Sequence, residues 1–396
     1  MITKELIMKL FDAAYMQRWN DKLRPMDLVE MDKQAHKMFI AFLLGKFQEQ
    51  TEEVNWQAII EGGIFELLER LVITDIKPGV FERIKSDKER YKRLKAYSYE
   101  KLREYIDPIA GGFSERYASY LELPEDDKVK RILGASHCMS SRWEFKIIER
   151  TNPEDYEVDR IHREFEDKLD GYNDLKGVVQ VKLNHRYSEF IDLCGALRYQ
   201  YRWASIHRVP RTSVLGHSLM VAVLSYLFSL EEGACDKRCY NNFYTGLFHD
   251  LPEVLTRDII SPVKRSVEGL DDLIKEIEEE MMEDTLYPLI PKELKEEIRF
   301  FTQEEFSNKV TIDGVPCYKS CREISLHYNS APYSPRDGEI VRACDMLSAF
   351  TEAYAAIENG CISKELKNAI VSIRKSYGDK SLTDAVSFKP IYDAFV

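Results

Sequence analysis

The feature that most constrains this 396-residue chain is that it repeats itself. Arg18-Trp19 follows Tyr15 as Arg202-Trp203 follows Tyr199, and His36 opens an apolar stretch as His217 does. Ile64-Phe65 and Thr74-Asp75-Ile76 correspond to Leu247-Phe248 and Arg257-Asp258-Ile259, and across these matches the numbering differs by 181 to 184. Pro108-Ile109 resembles Pro288-Leu289, and Ile148-Glu149 matches Ile357-Glu358 at an offset of 209. Five matches in one order with small drift point to a duplication, so one packing scheme has to be built twice.

That scheme reads as helical. Gly (18) and Pro (14) are scarce for the length, and apolar residues recur at helical spacing. Leu6, Leu10, Ala13 and Ala14 form one stripe; Phe190, Leu193, Cys194 and Leu197 form another; Leu347, Phe350, Ala353, Tyr354 and Ile357 form a third. Strand-like alternation is confined to short pieces such as Val178 to Leu183. The segment from Thr151 to Asp174 is highly charged, with Asn152-Pro153 near one end and Gly171-Tyr-Asn-Asp at the other, and reads as a connection, helical at most in its middle. The expected architecture is all-α: tandem bundles over 1–150 and 186–396, joined by 151–185.

The chain carries 56 basic and 68 acidic residues, a net charge of −12, which argues against duplex nucleic acid as a partner while allowing a small anion in a local basic pocket. The N-terminus interleaves charge with apolar residues from Met1, unlike a signal peptide, and the longest apolar run, Leu219 to Leu230, is short for a membrane span. Eight cysteines do not make a secreted disulfide framework in a chain this long, so a cytoplasmic protein with reduced thiols is expected. Cys235-x-x-x-Cys239 and Cys317-x-x-x-Cys321 read better as free thiols than as a zinc site. No Gly-rich phosphate loop is present, because Gly62-Gly63 and Gly111-Gly112 lack the flanking pattern.

The two copies differ in their polar residues. His249-Asp250 of the second half faces Glu66-Leu67 of the first, Glu253 faces Arg70, and Asp345 faces Ser136, with His137 next to it. A copy that keeps its packing residues but loses one polar set is a degenerate copy, and the lost set marks the functional residues. An adjacent His-Asp pair at a helix end can grip one divalent ion, and Pro252 supports that placement. His217 and Asp345 offer a third and a fourth ligand, a mixed shell suited to Mn, Co, Fe or Zn rather than Ca. Glu253 lies three residues past Asp250, one helical turn away. Arg202 offers phosphate a bidentate fork and Lys264 a point charge.

The order Arg202-Trp203, His217-Ser-Leu, His249-Asp250-x-x-Glu253-Val-Leu-Thr-x-Asp258, Pro262-Val-Lys264 and Asp345 resembles the HD superfamily of metal-dependent phosphohydrolases. Within it the closest likeness is to bacterial 5′-deoxynucleotidases of the YfbR type, over roughly residues 188–360. The resemblance implies His217, His249, Asp250 and Asp345 as ligands of one divalent ion (Mn, Co, Fe, Zn or Mg) and Glu253, beside Asp250, as the residue handling the proton of the attacking water. It implies Arg202, Trp203 and Asp258 at the nucleotide, the last two near the sugar. Two departures stand out: Gly216 replaces the family's usual Glu before the first ligand His, and the chain is about twice a minimal member's length. The expected activity is hydrolysis of a nucleoside monophosphate to nucleoside and phosphate. A triphosphohydrolase, an alarmone hydrolase or a non-catalytic nucleotide sensor would use the same site. The expected partner is a small nucleotide, with no membrane involved and a homodimer allowed.

Overall fold

The computed structural model describes residues 1–74, 76–257 and 267–395. Asp258 and Lys264 therefore lie outside the described residues. The first half runs α1 (Lys4–Phe11), α2 (Glu30–Glu49), α3 (Trp56–Ile73), α4 (Pro78–Ser86), α5 (Lys88–Ile106), α6 (Phe113–Glu122), α7 (Lys128–Thr151) and α8 (Val158–Asp170). After α9 (Lys176–Leu183), the second half runs α10 (His185–Ala196), α11 (Val214–Glu231), α12 (Asp236–Phe248), α13 (Glu253–Thr256), α14 (Leu270–Met281) and α15 (Lys292–Thr302). It continues through a two-stranded antiparallel hairpin, β1 (Lys309–Ile312) and β2 (Val315–Tyr318), to α16 (Cys321–Glu323), α17 (Gly338–Glu358), α18 (Lys364–Tyr377) and α19 (Lys389–Ala394).

The chain is thus mostly helical, as expected. One expectation fails locally: Val178 to Leu183 alternates like a strand but lies in α9. Val178 and Val181 are both buried there, a helical spacing, and docking of that face on the core overrides the β-propensity of the valines. The charged 151–185 segment is also more structured than a bare connection. Val158 of α8 packs with Phe145 and partly buried Trp19, as Leu366 of α18 packs with Ala353 and partly buried Trp203.

Backbone detail repeats between the halves. Arg18 N–H donates to Leu28 O at 2.7 Å and Glu30 N–H to Met16 O at 2.9 Å; Arg202 N–H donates to Thr212 O at 2.9 Å and Val214 N–H to Gln200 O at 2.9 Å. Trp19 and Trp203 both sit at left-handed φ, 53° and 57°. Thr74 and Arg257 end α3 and α13 at φ 64° and 70°. Conformations that side chains rarely adopt thus recur at matched positions of the two halves.

The main hydrophobic cluster runs from Ile2 to Phe395 and draws on both halves. At its centre lie α2 and α11. The 18-residue α11 is apolar enough by length and composition to cross a membrane, and 94% of it is buried inside the protein. The two helices meet near their N-termini, where Ser213 Oγ donates to Asp32 Oδ1 at 2.6 Å. A Cβ on Gly216 would stand 2.7 Å from that same oxygen, so the glycine makes room for a carboxylate from the other half.

Candidate metal centre and its counterpart in the first half

Ser213 caps α11 by accepting the Gly216 N–H at 2.9 Å, which puts His217 in the first turn. Its Nε2 lies 3.0 Å from Asp345 Oδ1 and its Nδ1 3.0 Å from Ser348 Oγ, both on α17. Against α11 packs α12, and a Cβ on Gly246 would come within 2.8 Å of Ala222 Cα. That close approach brings the end of α12, and His249 with it, up to His217. His249 Nδ1–H donates to Gly246 O at 2.8 Å, fixing the tautomer that leaves Nε2 for the pocket. Pro252 stands immediately before α13, in keeping with its inability to sit inside a helix.

Ligand-capable atoms of His217, His249 and Asp345 all lie within 4.8 Å of one another, and all three residues are buried. Asp250 Oδ2 lies 3.1 Å from His249 Nε2, 3.9 Å from His217 Nε2 and 3.9 Å from Arg202 Nη1. Burial pushes the His249 imidazole down, but Asp250 and then Asp345 overcome this and raise it to about 9. The carboxyl groups of Asp250 and Asp345 are held below their ordinary range by these histidines and by Arg202 and Arg342, despite burial. The pocket therefore stabilises positive charge. Buried His249 Nε2 makes no well-angled hydrogen bond despite the nearby carboxylate. Two imidazole nitrogens with facing carboxylates are the donor set of a borderline divalent ion, so these residues fit such a metal.

The structure brings Arg202 and Trp203 to the same region through Glu352, a residue that the sequence alone did not single out. Arg202 Nε donates to Glu352 Oε2 at 3.2 Å and Trp203 Nε1 donates to the same oxygen at 2.7 Å. Thr212 Oγ1 donates to Glu352 Oε1 at 2.7 Å. Arg202 first, and then Arg208, hold this buried carboxyl down to about 2. Buried Glu253 begins α13, and its carbonyl accepts from Gln200 Nε2 at 2.7 Å.

The first half repeats the arginine–tryptophan–glutamate part of this clamp, while Glu144 Oε1 accepts from Arg198 where Glu352 Oε1 accepts from Thr212. Arg18 Nε and Trp19 Nε1 donate to Glu144 Oε2 at 2.8 and 3.0 Å. The clamp fixes the register and corrects two pairings. Glu144 and Glu352 are 208 apart, which sets His137, not Ser136, opposite Asp345. The backbone matches near Trp19 and Trp203 are 184 apart, which sets Lys33, not His36, opposite His217. Accordingly Lys33 Nζ contacts His137 Nδ1, as His217 contacts Asp345. His36 is structural: its Nε2–H donates to Ile191 O at 2.9 Å, its ring stands edge-on to Trp143, and burial and then Arg198 push it down to about 3. Glu352 was legible in principle, since it lies seven residues after Asp345 on one helical face and has a Glu counterpart in the other copy.

A family model described as an HD domain matches residues 194–374 and does not extend into the first half. The chain is 24% identical over 195 residues to a 5′-deoxynucleotidase of Pasteurella multocida, covering 46% of this chain and 81% of the relative. It is 25% identical over 149 residues to a 5′-deoxynucleotidase of Yersinia pestis, covering 34% and 73%. Among solved structures, an HD-domain phosphohydrolase from Listeria innocua aligns with a TM-score of 0.37 and 18% identity, over 48% of this chain and 79% of that one. With a His/His/Asp cluster at the centre of the matched region, residues 194–374 of this chain are an HD domain.

Proposed function

We propose that the chain is a divalent-metal-dependent phosphohydrolase that acts on a nucleotide in the manner of a 5′-deoxynucleotidase, releasing phosphate from a nucleoside monophosphate. The observation that carries this reading is the buried His217, His249 and Asp345 cluster, with Asp250 beside it, inside an HD domain. In this proposal these four residues hold one divalent ion, which when bound would lower the pKa of a water and neutralise phosphoryl charge. Glu253, at the start of α13, handles the proton of the attacking water. Arg202 orients the phosphate through its fork, and Trp203 lines the nucleoside side. Glu352 keeps both in place, because one carboxylate oxygen accepts from each. Asp258 and Lys264 keep their expected roles at the sugar and phosphate. The first half, about residues 1–150, is then the catalytically degenerate copy, and residues 186–396 form the active one.

The test is phosphate release from a nucleotide panel with Mn, Co, Fe, Zn and Mg supplied in turn. Release from nucleoside monophosphates, abolished by chelation, is the expected result. Pyrophosphate or triphosphate release would move the reading to a triphosphohydrolase. Metal binding with no turnover on any nucleotide would make the domain a sensor.

A further inference from the structure

His217 stands in the first turn of α11, where the leading N–H groups have no helical partner and depend on a cap. Ser213 is that cap: its Oγ accepts the Gly216 N–H at 2.9 Å, and its carbonyl accepts the His217 N–H at 3.0 Å. The proton of the same hydroxyl goes to the other half, to Asp32 Oδ1 at 2.6 Å. Ser213, Asp32 and His217 are all buried, so solvent has little access to replace a lost partner. A hydroxyl that donates to a carboxylate is fixed in rotation and becomes a stronger acceptor for the amide behind it.

The two copies divide this arrangement unequally. At the offset of 184, Asp32 is the counterpart of Gly216 and Val29 that of Ser213. The first copy thus keeps the acid without the hydroxyl, and the second keeps the hydroxyl without the acid. Val29 gives α2 no side-chain cap, so Asp32 has no matching hydroxyl at the head of its own helix. The acid instead takes up the space beside Gly216, where a Cβ would lie 2.7 Å from Asp32 Oδ1. Asp32 also lines one small cavity with Gly216, His217, Ser348 and Glu352, which sets it in the polar surroundings of the first ligand.

We infer that Asp32, contributed by the first half, is a positioning residue for the metal centre of the second: through Ser213 it locks the first turn of α11 and so sets where His217 Nε2 points. The inference rests on the reading of His217, His249, Asp250 and Asp345 as metal ligands. Ser348 Oγ holds the imidazole itself, at 3.0 Å from Nδ1, and Asp32 holds the turn that carries it. The first half thereby completes the site without touching metal or substrate.

The experiment titrates Co²⁺ into the full chain after chelator treatment and reads both the affinity and the visible absorption of the bound ion, which reports its coordination geometry. Asp32→Ala should weaken Co²⁺ binding by roughly tenfold, the low end for residues that orient a metal ligand, and should shift the absorption bands. Asp32→Asn, which keeps an acceptor for Ser213, should restore both. Ser213→Ala should resemble Asp32→Ala, and the double variant should be no worse than either single one, because both act through one link. If circular dichroism shows that Asp32→Ala does not fold, Asp32→Leu takes its place, filling the space without an acceptor, and Ser213→Ala carries the same test from the other side. Unchanged affinity and spectrum in the folded variants overturn the inference. So do additive losses in the double variant, or an Asp32→Asn variant as weak as Asp32→Ala. Co²⁺ binding without hydrolysis of any nucleotide sinks only the proposed activity, whereas no Co²⁺ binding by the unaltered chain removes the ligand set and this inference with it.

Discussion

In the first half Arg18 and Trp19 converge on Glu144; in the second Arg202 and Trp203 converge on Glu352, with the same donors, a shared acceptor oxygen and tryptophans at the same left-handed φ. Beside these clamps the contents diverge, with Lys33 against His137 on one side and His217 against Asp345 on the other. A clamp between a loop and a distant helix survives because it closes the fold. The pocket residues beside it carry no such constraint and differ between the halves.

The largest effect that would sharpen this comparison is in the second half. His249→Ala should remove metal and turnover together, since it deletes a proposed ligand, and metal analysis alongside an assay checks both. Retained stoichiometric metal would break the assignment. Next, Glu253→Ala should keep the metal and lose about 10²–10⁴-fold in turnover. Glu352→Gln should cost about tenfold in kcat/KM, mostly through KM, with metal content unchanged, because Arg202 loses its anchor while Trp203 keeps an acceptor.

The matching change in the first half should register as stability. Glu144→Gln leaves Arg198, fully buried, without its carboxylate and should cost about 3–5 kcal/mol in denaturant unfolding. A pH-dependent effect sits between the halves. Burial raises the Asp32 carboxyl from 3.8 to about 6. The folded chain thus holds a proton that the unfolded chain has released, and the stability due to this group falls as pH rises from about 4 to 6. Asp32→Asn, which keeps an acceptor for Ser213, should flatten that slope and gain ~2 kcal/mol at pH 8. An unchanged pH profile would show that Asp32 does not set the slope.

Much of this is legible in the amino-acid sequence. Scarce glycine and proline with apolar stripes point to the helical class, and two copies of one frame expose the polar set that differs. His217, His249, Asp250 and Asp345 converge as their spacing suggests. The register of the first copy is not legible to the residue, because one helical turn brings His36 into nearly the place of Lys33, and apolar surroundings tolerate both. Glu352 is hidden for a different reason: a single acid on an apolar helix reads as solvated until Arg202, Trp203 and Thr212 are seen around it. The packing of α8 on the Trp19 side is masked because its surface is highly charged and only a narrow apolar edge docks.

Asp32 and Gly216, which stand against each other between α2 and α11, are counterparts in the two copies, so each meets its own equivalent, as happens across a two-fold axis. Two first halves paired this way would press carboxylate against carboxylate, and two second halves would leave a void between glycines. Only the unlike pair fills the space with a hydrogen-bonded acid. That contact favours the packing of α2 on α11 over the packing of either helix on a copy of itself.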